Sequence, residues 1–317
     1  MFLKYNDFDK RTFFYPNWRF KMSFIPKGVL PALITPRTKD GDISIPALRK
    51  LIDFLIDGGV HGIFSVATTG EFYSLSENEY REILEATVDQ TAGRVPVYAG
   101  AISIGTREVI RKTQIAQEVG GINAISVLTP YFISITQKEL YNHFSSIANN
   151  TDLNIILYDN APKTHITIKP ETVAMLSKIP NIVGIKDSTG DLTNVANLIA
   201  ATKGQDFGVV MGKDSLIVGA LLYGATGAVA ATANVAPKLV SGIYNKFMAG
   251  DLKGAIEDQY KLLPLRTAFT LGSFPTVIKE ALGLIGIDCG PCALPTGPMT
   301  SEERQILVKI LSEMELI

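Results

Sequence analysis

The chain has very little cysteine and histidine. Two cysteines in 317 residues cannot staple a secreted scaffold, so the fold must rest on an apolar core, and a hydrophobic content of 46% supplies one. The three histidines, His61, His143 and His165, are scattered without the spacing of a ligand set, and no metal is expected. Neither sign of charge is in excess: the formal net charge of -1 points to no nucleic acid and no membrane surface as partner. A secretory signal is missing as well. Residues 1–24 are rich in aromatic and basic residues, but no apolar run with a small-residue cleavage site follows. That stretch reads as an N-terminal extension with Met22 an alternative initiator, and a cytoplasmic location is expected. One uncharged stretch, Ser215–Pro237, has the length of a membrane span. Gly219, Gly224, Gly227 and Asn234 interrupt it, and a buried helix followed by a buried strand accounts for it better.

What the chain does have is a rhythm. Eight short apolar runs read as strands: Val29–Thr35, Gly62–Ala67, Val95–Gly100, Ala124–Thr129, Asn154–Tyr158, Ile182–Asp187, Phe207–Met211 and Gly227–Ala231. Between them lie segments of helical period, such as Pro46–Ile56 and Glu77–Gln90. Apolar strands each followed by a helix indicate a parallel sheet buried on both faces. Eight such units indicate an α/β fold of the closed (β/α)8 TIM barrel kind. An open doubly wound sheet would want a glycine-rich fingerprint after its first strand, where Pro31-Ala32-Leu33-Ile34-Thr35-Pro36 stands instead. Four further helices are expected over Lys238–Ala249, Leu252–Leu263, Pro275–Leu284 and Ser301–Met314. The expected organisation is an extension over 1–24, a barrel over 25–235 and appended C-terminal helices over 236–317.

In such a barrel the chemistry gathers at the carboxyl ends of the strands. Lys186 ends the run Ile182-Val183-Gly184-Ile185-Lys186-Asp187. Poor contact with water there favours the neutral amine, which can condense with a ketone or aldehyde to a Schiff base. Tyr158 ends the preceding strand and can carry protons for that step. The second strand runs into Ala67-Thr68-Thr69-Gly70-Glu71, whose hydroxyls and backbone amides suit a carboxylate. After the sixth strand, Ser188, Thr189 and Asp191 can meet substrate hydroxyls or cap the next helix. Singly, each has an ordinary structural explanation; the combination is far harder to produce by accident. Cys289-Gly290-Pro291-Cys292 has the form of a redox tetrapeptide, but it follows a helix and sits beside Asp288, so no redox role is expected.

From about Gly28 onward the chain resembles the dihydrodipicolinate synthase / N-acetylneuraminate lyase superfamily of pyruvate-dependent class I aldolases. The segments that carry the resemblance are Leu33-Ile34-Thr35-Pro36, Thr68-Thr69-Gly70-Glu71, Thr129-Pro130-Tyr131, Tyr158 with Pro162, Gly184-Ile185-Lys186-Asp187 and Ala233-Asn234-Val235. The resemblance implies a (β/α)8 barrel with C-terminal helices and a homotetramer built as a dimer of dimers. It implies Lys186 as the Schiff-base lysine, Tyr158 as proton shuttle, Thr68 and Thr69 at the pyruvate carboxylate with Gly70 beside them, and Val229 lining the pyruvate site. Small molecules, pyruvate and an aldehyde, are the expected partners, and no cofactor is needed because the iminium itself is the electron sink.

Three departures bear on the substrate. Lysine-biosynthetic members carry a second tyrosine where this chain has Phe132, and an arginine where it has Lys163. The surroundings of Phe72, Tyr73, Glu77, Tyr80 and Ile104 do not resemble the lysine feedback site of regulated synthases. Ser188, Thr189 and Asp191 look more like the branches that cleave sugar acids. The expected activity is therefore a 2-keto-3-deoxy sugar-acid aldolase, with dihydrodipicolinate synthase as the alternative. A barrel that binds a 2-oxo acid without turnover is the alternative of another class.

Overall fold

A computed structural model describes residues 24–317, so the extension and Met22 lie outside the described residues, apart from Phe24. Eight strands form one sheet: β1 (Gly28–Pro31), β2 (Ile63–Ser65), β3 (Val97–Gly100), β4 (Ala124–Leu128), β5 (Asn154–Asp159), β6 (Ile182–Asp187), β7 (Gly208–Met211) and β8 (Gly227–Ala230). All seven ladders are parallel. The barrel closes where β1 meets β2: Ala32 bridges Phe64, and the Leu33 amide donates to the Phe64 carbonyl at 2.8 Å.

Helices alternate with the strands: α1 (Ile45–Asp57), α2 (Glu77–Thr91), α3 (Thr106–Val119), α4 (Gln137–Ala148), α5 (Ala161–Thr164), α6 (Pro170–Leu176), α7 (Leu192–Ala201) and α8 (Ile217–Tyr223). The uncharged stretch divides between α8 and β8, and no helix among the described residues is long and apolar enough to cross a membrane. Helix α9 (Pro237–Met248) follows β8 and packs on β1, with the Asn245 side chain 3.0 Å from the His61 ring. It continues the outer ring, because β8 needs an apolar cover like every other strand. The expected boundary at residue 236 thus falls before the last ring helix, and the helices beyond the ring are α10 (Leu252–Ala268), α11 (Thr276–Leu284) and α12 (Ser301–Glu313). Ser76 with Glu79, Thr136 with Glu139 and Thr300 with Glu303 form capping boxes that fix where α2, α4 and α12 begin. Strand β1 ends earlier than its apolar run suggests. Beyond Pro31 the Asn234 side chain takes over the pairing, accepting from the Ile34 amide at 3.2 Å and donating to the Ala32 carbonyl at 2.8 Å.

Two apolar layers follow from the alternation of strand side chains. One lies between strands and helices; the other fills the barrel and includes Leu30, Phe64, Tyr98, Ile156, Val183 and Val229. In β6 the alternation is broken. Ile155 pairs with Ile182, but the next residue, Ile156, pairs with Gly184, so β6 carries one extra residue at Val183. Ile182 and Ile185 pack in the outer layer and Val183 in the inner one. A bulge of this kind re-aims every side chain after it, and it turns Lys186 into the barrel. Gly184 makes it possible, since a Cβ there would stand 2.6 Å from the Gly208 carbonyl and 2.7 Å from Pro26 Cγ. The segment Phe24-Ile25-Pro26 closes the lower end of the barrel, with Phe24 against Tyr98 at 5.6 Å between ring centroids and Ile25 and Pro26 over Gly208.

Candidate functional site

Tyr158 and Lys186 are Cα partners in the β5–β6 register. Lys186 is 5% exposed, with Nζ 4.0 Å from the centroid of the Tyr158 ring and 5.0 Å from that of Phe64. The phenol oxygen lies 3.4 Å from Thr68 Oγ1 and accepts from Asn160 Nδ2 at 3.0 Å. Burial alone pushes this phenol up, but the positive charge of Lys186 and polar contacts from Thr68 and Ser188 outweigh it, so Tyr158 sits below the ordinary tyrosine value. A strengthened phenol beside an amine, with a hydroxyl on its far side, can release and retake a proton.

This group opens into a cavity of about 280 Å³, which Thr69, Lys163, Ser188 and Val229 also line. An adjoining chamber of about 260 Å³ shares Thr68, Asn160 and Lys163 and is walled by Phe72, Tyr73 and Tyr131. Another cavity, of about 930 Å³ between α1, α9 and α12, contains none of the expected site residues. Of the seven expected residues beyond Lys186 and Tyr158, five line the cavity at Lys186 and two do not. Thr68, Thr69, Lys163, Ser188 and Val229 come together as lining. Gly70 is buried behind the wall, its carbonyl accepting from Thr35 Oγ1 at 2.7 Å. Asp191 is exposed and caps α7, accepting from the Thr193 amide at 2.7 Å, while Thr189 donates to Asp187. The motif was legible as a helix start, and the cap is what it forms. Sequence reasoning missed Asn160, Lys213 and Arg266, which also face the cavity. Asn160 and Lys213 each follow a strand's carboxyl end within two residues and could have been found; Arg266 lies on α10, a distant element without a local signal.

The loops are held by strained or buried groups. The Thr68–Thr69 turn lies between two non-glycine residues in the left-handed region, Val66 (φ 50°) and Glu71 (φ 56°). For a β-branched residue such as Val66 this conformation is costly and must be enforced by its surroundings. Gly100 admits it, because a Cβ there would stand 2.5 Å from the Val66 carbonyl. Glu71 forms a buried ion pair with Lys279 of α11 at 2.8 Å and accepts from the Ala293 amide at 2.7 Å, which ties the turn to the C-terminal helices. On the outer face, Asp159 accepts from the Ile168 and Ala161 amides and so fixes the loop after β5. Burial lifts its carboxyl to about 7, helped by the charge of Asp187.

Cys289 and Cys292 are free thiols, and burial pushes Cys289 up to about 12, far from a reactive thiolate. Among the described residues, no group of three or more His, Cys, Asp or Glu is placed to hold a metal ion. Phe132 is 93% exposed with φ 72° and takes no part in the lining.

A closed parallel barrel with an inward lysine laid against a tyrosine at its carboxyl end defines a lyase of the class I, Schiff-base aldolase type. The family model described as dihydrodipicolinate synthetase family matches residues 25–314, and the chain belongs to that family. The 4-hydroxy-tetrahydrodipicolinate synthase of Methanothrix thermoacetophila is 37% identical over 288 residues, which cover 91% of this chain and 97% of the relative. That of Methanopyrus kandleri is 38% identical over 298 residues, covering 93% and 99%. The crystal structure of the chloride-inhibited dihydrodipicolinate synthase from Acinetobacter baumannii, complexed with pyruvate, superposes with a TM-score of 0.88 at 34% identity, covering 92% of this chain and 99% of that one.

Proposed function

We infer that the chain joins pyruvate to an aldehyde bearing its own acidic group, through a Schiff base on Lys186, in a reaction of the 4-hydroxy-tetrahydrodipicolinate synthase type. The observation that carries this reading is the contact chain Lys186–Tyr158–Thr68 at the mouth of one cavity. The Lys186 amine attacks the pyruvate C2 carbonyl, and Tyr158 delivers the proton with which the carbonyl oxygen leaves as water. The iminium withdraws electrons from C3, which loses a proton to give an enamine. C3 then attacks the aldehyde carbon, whose oxygen is protonated, and the amino group that aspartate semialdehyde carries attacks C2, closing the ring and expelling the Lys186 amine. Thr68 passes the proton on from the phenol, and with Thr69 holds the pyruvate carboxylate beside Val229. Proton transfer by a placed group of this kind is typically worth roughly 10²–10⁴-fold.

The synthase type has more support than the sugar-acid aldolase expected from the sequence. Relatives spanning nearly the whole chain carry the synthase's name, and Asp191, which a polyhydroxylated substrate would want, caps a helix. In favour of the sugar-acid reading stand Phe132 and Lys163, which replace a relay tyrosine and a carboxylate-binding arginine. The family resemblance supports a homotetramer, in which the exposed Phe132 would gain a cover; sedimentation velocity tests it.

Borohydride reduction in the presence of pyruvate, followed by peptide mapping, tests the Schiff base: label belongs on Lys186 and vanishes in Lys186→Arg. Label elsewhere, or none, overturns the reading. Product assays with pyruvate plus aspartate semialdehyde, against cleavage of 2-keto-3-deoxygluconate, sialic acid and 4-hydroxy-2-oxoglutarate, then separate the two substrate types.

A further inference from the structure

Eight arginines lie among the described residues, and seven of them have a carboxylate within 4.0 Å. The eighth is Arg266 on α10, which lines the cavity that holds Lys186. Its guanidinium lies 5.7 Å from the centroid of the Phe269 ring, another cavity wall, and among the described residues no carboxylate stands within ion-pairing distance, the charge of Asp214 reaching it only from farther off. Lys213, on the loop after β7, reaches the same space. Its stem runs over Gly190, where a Cβ would stand 3.5 Å from Lys213 Cε. Among the described residues neither Lys213 nor Lys163 has a carboxylate within ion-pairing distance. The one acid in the lining, Asp214, is 4% exposed, and its two oxygens accept from the Ala231 and Thr232 amides at 3.1 Å each. Three cations besides Lys186 thus face one cavity whose lining holds a single carboxylate, Asp214, which feels the charge of Arg266 but forms no ion pair with any of the three.

Unpaired cations focused in a concave site raise the local concentration of anions. We propose that Arg266 and Lys213, together with Lys163, form an anion-recognition subsite for the part of the substrate farthest from the Schiff base, so that these residues set specificity for an aldehyde ending in a carboxylate or a phosphate. The C-terminal helices then have a role in the reaction: α10 supplies the planar fork that Lys163 lacks. This rests on Lys186 forming the Schiff base, and extends that reading to the second substrate.

The test needs no aldol turnover. Lys186 is trapped with borohydride in the presence of three 2-oxo acids of matched length, ending in a carboxylate, a phosphate or a hydroxymethyl group, and the half-saturating concentration for each is measured. The native chain should favour one or both anionic acids over the neutral one by about ten-fold or more, the worth of a charge-assisted hydrogen bond; which of them is favoured identifies the source. Arg266→Gln and Lys213→Gln should each erase much of that ratio, and Arg266→Lys should restore part of it. The ratio is insensitive to a folding defect that affects all three acids alike. A native chain that takes the three acids equally, or variants that keep the native ratio, overturn the subsite. If pyruvate itself fails to label Lys186 in the native chain, the Schiff-base reading fails instead.

Discussion

Replacing Gly184 with alanine isolates the feature that aims the lysine. Residues i, i+2 and i+4 of a strand share a face, so regular alternation from the outward Ile182 would carry Gly184 and Lys186 outward as well. The extra residue at Val183 reverses this, and it needs a glycine next to it. The added methyl would lie 2.6 Å from the Gly208 carbonyl and 2.7 Å from Pro26 Cγ, both well inside contact distance. One neighbour is backbone of β7 and the other belongs to the segment that closes the barrel, so neither moves freely. Overpacking of this sort costs about 1–3 kcal/mol. In a domain of this class each kcal/mol lowers Tm by roughly 2–4 °C, so a fall of about 2–12 °C is expected by calorimetry. Pyruvate-dependent borohydride labelling of Lys186, two residues on, should slow in parallel. Adding Pro26→Ala should relieve part of the clash and recover part of the Tm. An unchanged Tm with native labelling in Gly184→Ala would refute the idea that this bulge turns Lys186 inward.

Further outcomes follow from the same contacts. Tyr158→Phe should lower kcat by about 10²–10⁴-fold, measured with the aldehyde that the native chain accepts, and a loss under ten-fold would remove the phenol from the relay. Lys279→Ala leaves Glu71 charged and buried without its partner, at a cost of about 3–5 kcal/mol, whereas the pair Glu71→Gln with Lys279→Met should be markedly less damaging; chemical denaturation measures both, and equal losses would contradict the account. Asp159, lifted by burial to about 7 from 3.8, binds its proton more tightly in the folded than in the unfolded chain. Its contribution to stability is therefore greatest at low pH and declines as pH rises through that interval. Asp159→Asn should flatten the pH–stability curve there, and an unchanged slope would sink the assignment.

Much of this was legible in the chain itself. Eight apolar runs separated by helical periods specify the barrel, because only a parallel sheet covered on both sides makes every strand apolar along its length. Lys186 and Tyr158 were legible because both end such runs, and in a barrel those ends share one mouth. Gly70 and Asp191 were misplaced for a local reason: hydroxyls, glycines and carboxylates at strand ends suit both ligand binding and turn or cap formation, and residue type does not distinguish the two. Glu71 was visible in its motif, but its partner Lys279 lies 208 positions away on a helix with no signal of its own.

The order of elements, their lengths and the kinds of side chain delivered to the barrel mouth were determined by the sequence alone. Which way Lys186 points was not. That depends on one unpaired residue in β6, which alternation cannot reveal, because a bulge exists only relative to its neighbouring strand. The surroundings of the lysine were likewise a matter of tertiary structure: Arg266 and Lys213 reach the cavity from a helix and a loop that the chain brings together only on folding, and that neither forms an ion pair can be seen only when every neighbouring carboxylate is in place.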